Sequence, residues 1–455
     1  MKMVNKLLII AIILFEVSRI FSIENNSSKF VAELNKLLVN DKIADNYCDG
    51  KRIFCNDNEI ISIILDGFEL SAFPVGITMI KDTLKELRII YANLKGNIPN
   101  EIYELTELEH LDLRDNKFNG SLSNNIKYLN KLSHLDLSYL NLSGPIPDGL
   151  YSLTKLTYLD LRENKFNGSL SDKIRNLKDL RILDLSNLNL SGPIPDSIYS
   201  LIELEDLILG GNRFSGSLSD NIRNLNNLLY LDLSNLSLSG PIPDGLYSLT
   251  KLLYLKLGGN RFNGKLNNNI KNLKRLWNLD LSNSSISGEI PDGLYSINRL
   301  RYLNLMHNNI NGTLSPKIGN MFNLNGLNLS FNQLSGTIPD EIGNLINLRN
   351  LEMIENRFEG NIPDLSRLEK LLYMNISSTK HRLNASCNDK MLPPHIDKNR
   401  CFIGPVNKLC NNNIKCEYGS WVVEESSIGS MLYINRLKII IMMIICRGVI
   451  EMILN

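Results

Sequence analysis

The amino-acid sequence predicts an α/β solenoid, a superhelix of 24-residue turns with a parallel β-sheet on its concave side. Three observations carry this reading. Leucines recur every 24 residues from Leu84 to Leu348, twelve starts in one phase, with Ile60 one period earlier. Each unit holds apolar residues at repeat positions 1, 4, 6, 11, 15, 19 and 22, and Gly at position 13. Neighbouring units alternate between two types, so the full period is 48 residues. After Leu348 the step shortens to 23, reaching Leu371, because Ile362-Pro363-Asp364-Leu365 lacks one residue.

Each element follows from this spacing. Positions 3 to 7 of a unit, as in Tyr158-Leu159-Asp160-Leu161-Arg162, alternate polar and apolar with the two-residue period of a strand. The segment Ser143-Gly144-Pro145-Ile146-Pro147-Asp148 comes next, and its two prolines argue against both helix and central strand. We therefore expect it to cross to the convex side. No unit can bury its leucines alone, so stacked turns share one core, about 60 Å long at roughly 4.8 Å per strand.

The run Asn332-Gln333-Leu334-Ser335-Gly336-Thr337-Ile338-Pro339, set in this leucine spacing, resembles plant-type extracellular leucine-rich repeats. The resemblance covers about residues 30 to 420 and includes polygalacturonase-inhibitor proteins and the ectodomains of receptor-like proteins. It implies an inward Asn at position 9 of each turn, bonded to turn backbone. Here Asn116, Asn164, Asn212, Asn260 and Asn308 hold that position with Phe118, Phe166, Phe214, Phe262 and Ile310 two residues on, but intervening turns carry Leu140, Leu188, Leu236 and Ser284. Exchange of volume, Asn plus Phe against Leu plus Leu, explains the alternation. Position 20 keeps the same beat, with Tyr103, Tyr151, Tyr199, Tyr247 and Tyr295 separated by Lys127, Arg175, Arg223 and Lys271. We expect a convex seam of cations beside aromatic faces.

The ends divide the chain further. Residues 1–22 read as a secretory signal peptide, with Lys2 and Lys6 before the apolar run Leu7 to Phe15 and a small residue at Ser22. An amino-terminal cap (23–59), the solenoid (60–383), a cysteine-containing carboxy-terminal cap (384–430) and an apolar, charged tail (431–455) follow. All seven cysteines lie outside the regular repeats, and in a secreted chain they read as disulfides. The resemblance implies that Cys48 and Cys55 form the amino-terminal cap pair. It also places Cys387, Cys401, Cys410 and Cys416 in the other cap, with three pairings open, and leaves Cys446 unpaired. The tail's longest uncharged apolar run, Ile439 to Cys446, is too short to span a bilayer, although the tail could associate with a membrane surface or carry a lipid-anchor signal. Twelve Asn-x-Ser/Thr acceptors occur, among them Asn119, Asn141, Asn167, Asn189, Asn235, Asn283 and Asn311, while Asn328 would put a glycan on the concave sheet.

A formal charge of +1 gives no indication of a nucleic-acid partner. The concave sheet should display positions 2, 3, 5, 7 and 8, of which 7 and 8 vary from Gly to Arg, Tyr, His and Phe. Position 5 is acidic in most turns, at Asp112, Asp136, Asp160, Asp184, Asp232, Asp280 and Glu352. Gly210, Gly211, Gly258 and Gly259 suggest a bare floor beside large aromatic residues. The candidate ligand surface is Tyr230, Asp232, Tyr254, Lys256, Trp277, Asp280 and Tyr302. His110 and His134, beside Asp112 and Asp136, could hold a divalent ion, but exposed polar residues without such a role are far commoner, and no metal or cofactor is assigned. No convergent nucleophile, base and oxyanion donors are found, so an enzyme is not expected. The expected function is recognition of a protein or peptide on the concave sheet of a secreted or cell-surface protein. Binding of cell-wall carbohydrate and a structural spacer are the alternatives.

Overall fold

The computed structural model describes residues 26–43, 47–378, 380, 382–384 and 401–404. Among these, sixteen strands form one inner sheet, ordered as they occur along the chain. From Glu59–Asp66 to Asn350–Glu352 its strands pair in parallel with a step of 24 residues, so that Tyr158 lies beside Ile182, and Ile182 beside Asp206. Glu86–Ile90 and Tyr373–Ser377 cover positions 3 to 7 as expected, whereas the strands between them are shorter, as Tyr158–Asp160 at positions 3 to 5. Position 8 is left-handed in each turn from Tyr91 to Glu355, with φ of 56° at Glu163 and 53° at Asn187, and turns the chain out of the sheet.

The segment expected to be a plain crossing is a second, ten-stranded parallel sheet built from positions 10 to 14, as in Asn141–Pro145 and Lys165–Ser169. Prolines do not break it, because Pro145 and Pro193 are the last residues of their strands. Its register steps by 22 residues, with Gly144 beside Phe166 and Gly168 beside Leu190. Gly168 sits at a φ of 84°, which explains Gly at position 13. The convex side consists of short 3-10 turns such as Asp172–Asn176. They too follow the beat of two: Ser171 accepts the N–H of Lys173 at the start of one turn, whereas Pro147 precedes Asp148–Ser152 in the turn before. Between the layers Leu156, Leu159, Leu161, Phe166, Leu170, Ile174 and Leu177 are all buried, and equivalent residues form one continuous core.

The position-9 asparagines point inward. Asn212 Oδ1 accepts the backbone N–H of Leu190 in the preceding turn, and its Nδ2 donates to Leu185 O in that turn and to Leu209 O in its own. One side chain therefore serves two turns, which is how Leu140, Leu188 and Leu236 can occupy alternate rungs in the core. The beat ends at Asn308, after which Asn332 and Asn356 make the same bonds in consecutive turns.

The seam of cations and tyrosines at position 20 is not formed. Tyr199 is 2% exposed, and Tyr103, Tyr151, Tyr247 and Tyr295 are equally part of the core. Asn267 donates its backbone N–H to Tyr247 Oη at 3.4 Å. The other four hydroxyls lie against the backbone of Ser123, Ser171, Ser219 and Ser315 without a hydrogen bond of standard geometry. Arg175 and Arg223 pair instead with Asp172 and Asp220 of their own turns.

At the amino-terminal end a helix over residues 26–37 buries Phe30 and Leu34 against the first turn. Strand Ile53–Asn56 runs antiparallel to Glu59–Asp66, and the expected Cys48–Cys55 disulfide is present. Strand Cys401–Gly404 adds in parallel to Tyr373–Ser377 at the other end, but the side chain of Cys401 lies outside the description. Cys387, Cys410, Cys416, Cys446, the signal peptide and the tail also lie outside the described residues. Among the described residues no helix is long and apolar enough to cross a membrane.

Burial of position 20 makes a direct prediction. Tyr199→Ala should lower stability by about 3–5 kcal/mol, whereas Arg223→Ala should change it by no more than about 0.5 kcal/mol. Chemical denaturation of both variants checks the difference.

Candidate ligand surface

Position 5 of the inner strands, expected to offer open carboxylates, is mostly closed. Asp112, Asp136 and Asp160 are fully buried and Asp184 nearly so. Arg114 Nη1 lies 3.3 Å from both Asp112 and Asp136, and Arg162 Nη1 lies 3.3 Å from Asp160 and 3.2 Å from Asp184. The free Oδ1 atoms accept the backbone N–H two residues on, as at Ser138 and Ser186. Burial raises the carboxyl of Asp160, with Asp184 and Asp136 adding to it against the opposing pull of Arg162. These residues form an internal charge ladder made between arginines at positions 5 and 7 and carboxylates on adjacent strands. The sequence displays the charges, but not that they neutralise one another.

Further along the sheet the predicted residues come together. Tyr230 and Tyr254 sit on paired strands with ring centroids 5.4 Å apart, and Trp277 meets Tyr254 edge-on at 6.2 Å. Lys256 Nζ stands 5.4 Å from the centre of the Tyr230 ring and 3.4 Å from Asp232, and Arg301 lies over Trp277 at 5.0 Å. Burial works against the charge of Lys256, but Tyr230 and Asp232 more than offset it, so the ammonium group is held above its ordinary value. Asp232 is almost buried, accepts from Ser234, and acts as an anchor for Lys256 more than as an open contact. Asp280 accepts the N–H of Ser282 at 2.9 Å. Tyr302 is exposed and covers Gly326, where a Cβ would meet its ring at 3.0 Å. Arg301 and Leu229 flank this patch from position 2, and the sequence reading did not include them.

The glycines do not leave a bare floor. Gly211 adopts a φ of 71° and has the Asn187 amide directly above it, and Gly259 is covered by Asn235 in the same way. A Cβ at Gly210 would meet Asp232 Oδ1 at 2.9 Å. Close packing between successive turns accounts for all four residues.

His110, His134 and Tyr158 form a parallel stack, with centroid spacings of 3.9 and 4.0 Å and ring planes within 9°. The lone pairs of imidazole nitrogens lie in the ring plane, so parallel rings do not converge on one ion, and the neighbouring carboxylates are taken by arginines. Position 8 adds aromatic residues that the sequence reading noted only as variation: Tyr91, Tyr139, and the His307–Phe331 pair stacked at 4.1 Å. Of the glycosylation candidates, Asn119, Asn141, Asn167 and Asn189 lie on the second sheet, with Asn119 beside Asn141 and Asn167 beside Asn189. Asn311 is exposed at the end of that flank, whereas Asn235 and Asn283 occupy position 8. Asn328 is half-buried, with its amide donating to Glu352 at 3.3 Å.

A solenoid with one short parallel strand per 24-residue turn is the architecture of leucine-rich-repeat proteins. A family model described as a leucine-rich repeat region matches residues 231–409, and a second, leucine-rich repeat, matches 107–129, 131–153, 155–177 and 179–201. The chain belongs to the leucine-rich-repeat family, and its repeats are of the plant extracellular type. It is similar to the plant peptide hormone receptor RGFR1, solved in complex with RGF2, at 34% identity over 74% of this chain and 53% of that one, with a TM-score of 0.68. It is also similar to the Arabidopsis receptor kinase HAESA, solved with the peptide hormone IDA and the co-receptor SERK1, at 26% identity over 79% and 66% of the two chains and a TM-score of 0.70. A leucine-rich-repeat protein of Leptospira interrogans gives 27% identity, 76% and 93% coverage and a TM-score of 0.59. The chain thus spans about half to two thirds of the plant receptor structures it matches. No curated protein sequence matches it.

The histidine stack predicts a pH effect. Burial pushes His110 down to about 2, aided by His134, and pushes His134 down to about 3, aided by Arg88 and Arg114. A histidine kept neutral in the fold gains its proton on unfolding, so each one costs stability as the pH falls below the ordinary 6.5. Asp112, whose carboxyl is raised chiefly by burial and by Asp136, works in the opposite direction. Relative to the wild type, a double His110→Tyr, His134→Tyr variant should gain stability between pH 6.5 and 5, by up to roughly 1.4 kcal/mol per pH unit for each histidine. Denaturation curves at pH 7 and pH 5 measure this gap.

Proposed function

We propose that this chain is a secreted or cell-surface recognition protein that binds a peptide or protein ligand across its concave sheet. The supporting observation is the run Tyr230, Tyr254, Trp277 and Tyr302 on successive inner strands, with Lys256 and Arg301 set against the first and third rings. Aromatic residues held by cations give large, rigid contact area at little entropic cost, as interface anchors do. The similar plant receptors were solved with peptide hormones, which supports a peptide ligand here. The acceptor asparagines on the second sheet suit a glycan-covered flank, with the concave face left for the partner.

Trp277→Ala and Tyr254→Ala should each weaken ligand capture by at least about tenfold, or roughly 1.4 kcal/mol, while leaving the thermal midpoint within a few degrees. Affinity capture from extracellular fluid of the source organism, followed by mass spectrometry, provides the measurement. A glycan array run beside it separates the carbohydrate reading. Sugar binding that depends on Tyr254, with no captured peptide, would replace the proposal.

A further inference from the structure

Position 8 is left-handed in each turn from Tyr91 to Glu355, and a backbone of that kind favours Gly, Asn and Asp. The central turns obey, with Asn187, Gly211, Asn235, Gly259 and Asn283. Outside them Asp115 also obeys, whereas Glu163, Glu355 and four bulky aromatic residues do not. Tyr91 and Tyr139 adopt φ of 53°, His307 of 52° and Phe331 of 55°. Bulky aromatic side chains are poor choices for this conformation, and burial does not compensate them, since Tyr91 is 59%, Tyr139 46% and Phe331 37% exposed. Their local partners are few: Tyr91 lies beside the Asp115 carboxylate, Arg162 lies 5.5 Å from the Tyr139 ring centre, and His307 and Phe331 stack on each other. Arg162 is already fixed by Asp160 and Asp184, and so it does not need Tyr139.

We infer that Tyr91, Tyr139, His307 and Phe331 are ligand contacts, forming the rim of one recognition surface along which an extended peptide runs across the strands. This rests on the peptide reading above and sharpens it, because the residues fix the size of the ligand. Phe331 lies ten turns beyond Tyr91. At roughly 4.8 Å per strand the rim spans about 48 Å, which an extended chain covers with about 15 residues. The partner is therefore a long linear peptide with apolar or aromatic side chains near both ends. In the central turns, where position 8 is small, its middle would lie toward Tyr230, Tyr254 and Trp277.

The experiment uses the residues that the central turns already use. Tyr91→Asn, Tyr139→Asn and Phe331→Asn are made in the full chain, beside Trp277→Ala. Random linear peptides of about 16 residues displayed on phage are selected on the wild type, and the binders are measured against each variant. Thermal midpoints unchanged or raised, with at least about tenfold weaker binding of the selected peptides to each rim variant, is the expected result. A midpoint lowered by more than about 5 °C would make the aromatics structural and overturn the inference without any ligand. Peptides that lose affinity for Trp277→Ala but keep it for the rim variants would overturn it while leaving the concave peptide reading intact. Selection of no peptide at all would remove both.

Discussion

The buried asparagine amide is the interaction on which the stack depends. A turn of this solenoid leaves backbone N–H and C=O groups facing an apolar interior, where an unpaired group costs roughly 1–3 kcal/mol. Asn164, for example, accepts from Leu142 N at 2.9 Å and donates to Leu137 O at 2.7 Å, both in the preceding turn, and to Leu161 O in its own. The bond therefore ties two turns together as well as satisfying one. Because the reach is backward by a whole turn, the chain can replace every second Asn by Leu and fill the space with apolar volume.

Much of this was legible in the sequence, because it depends on spacing. The inward positions, the parallel inner sheet and the glycine at position 13 all follow from residue type at a fixed phase, while the cap disulfide was implied by the family resemblance. What spacing could not give was direction. Tyr199 and Arg223 occupy the same repeat position on the convex side, yet Tyr199 turns into the core and Arg223 pairs with Asp220 of its own turn. Likewise the aspartates of position 5 sit on the concave side but spend their charge on Arg88, Arg114 and Arg162.

The candidate surface was read more accurately in its aromatic members than in its charged ones. Tyr230, Tyr254 and Trp277 are large enough that adjacent strands must bring them together. Asp232 and the paired glycines depend on what the next turn places over them, namely Lys256 over Asp232 and Asn187 over Gly211, and a single strand does not reveal that. The left-handed residue at position 8 is a third kind of signal. It becomes visible once backbone angles show that Tyr91 and Phe331 hold a conformation better suited to Asn.

The antiparallel strand Ile53–Asn56, fastened by Cys48–Cys55, has a consequence for the protein in crowded solution. A parallel sheet that adds one identical strand per turn has, in principle, no reason to stop, and two such molecules could join head to tail and continue as a filament. The reversed first strand departs from the repeat, and the apolar end beneath it is sealed by Phe30 and Leu34. The cap therefore closes the apolar end of the stack that a further repeat would otherwise cover.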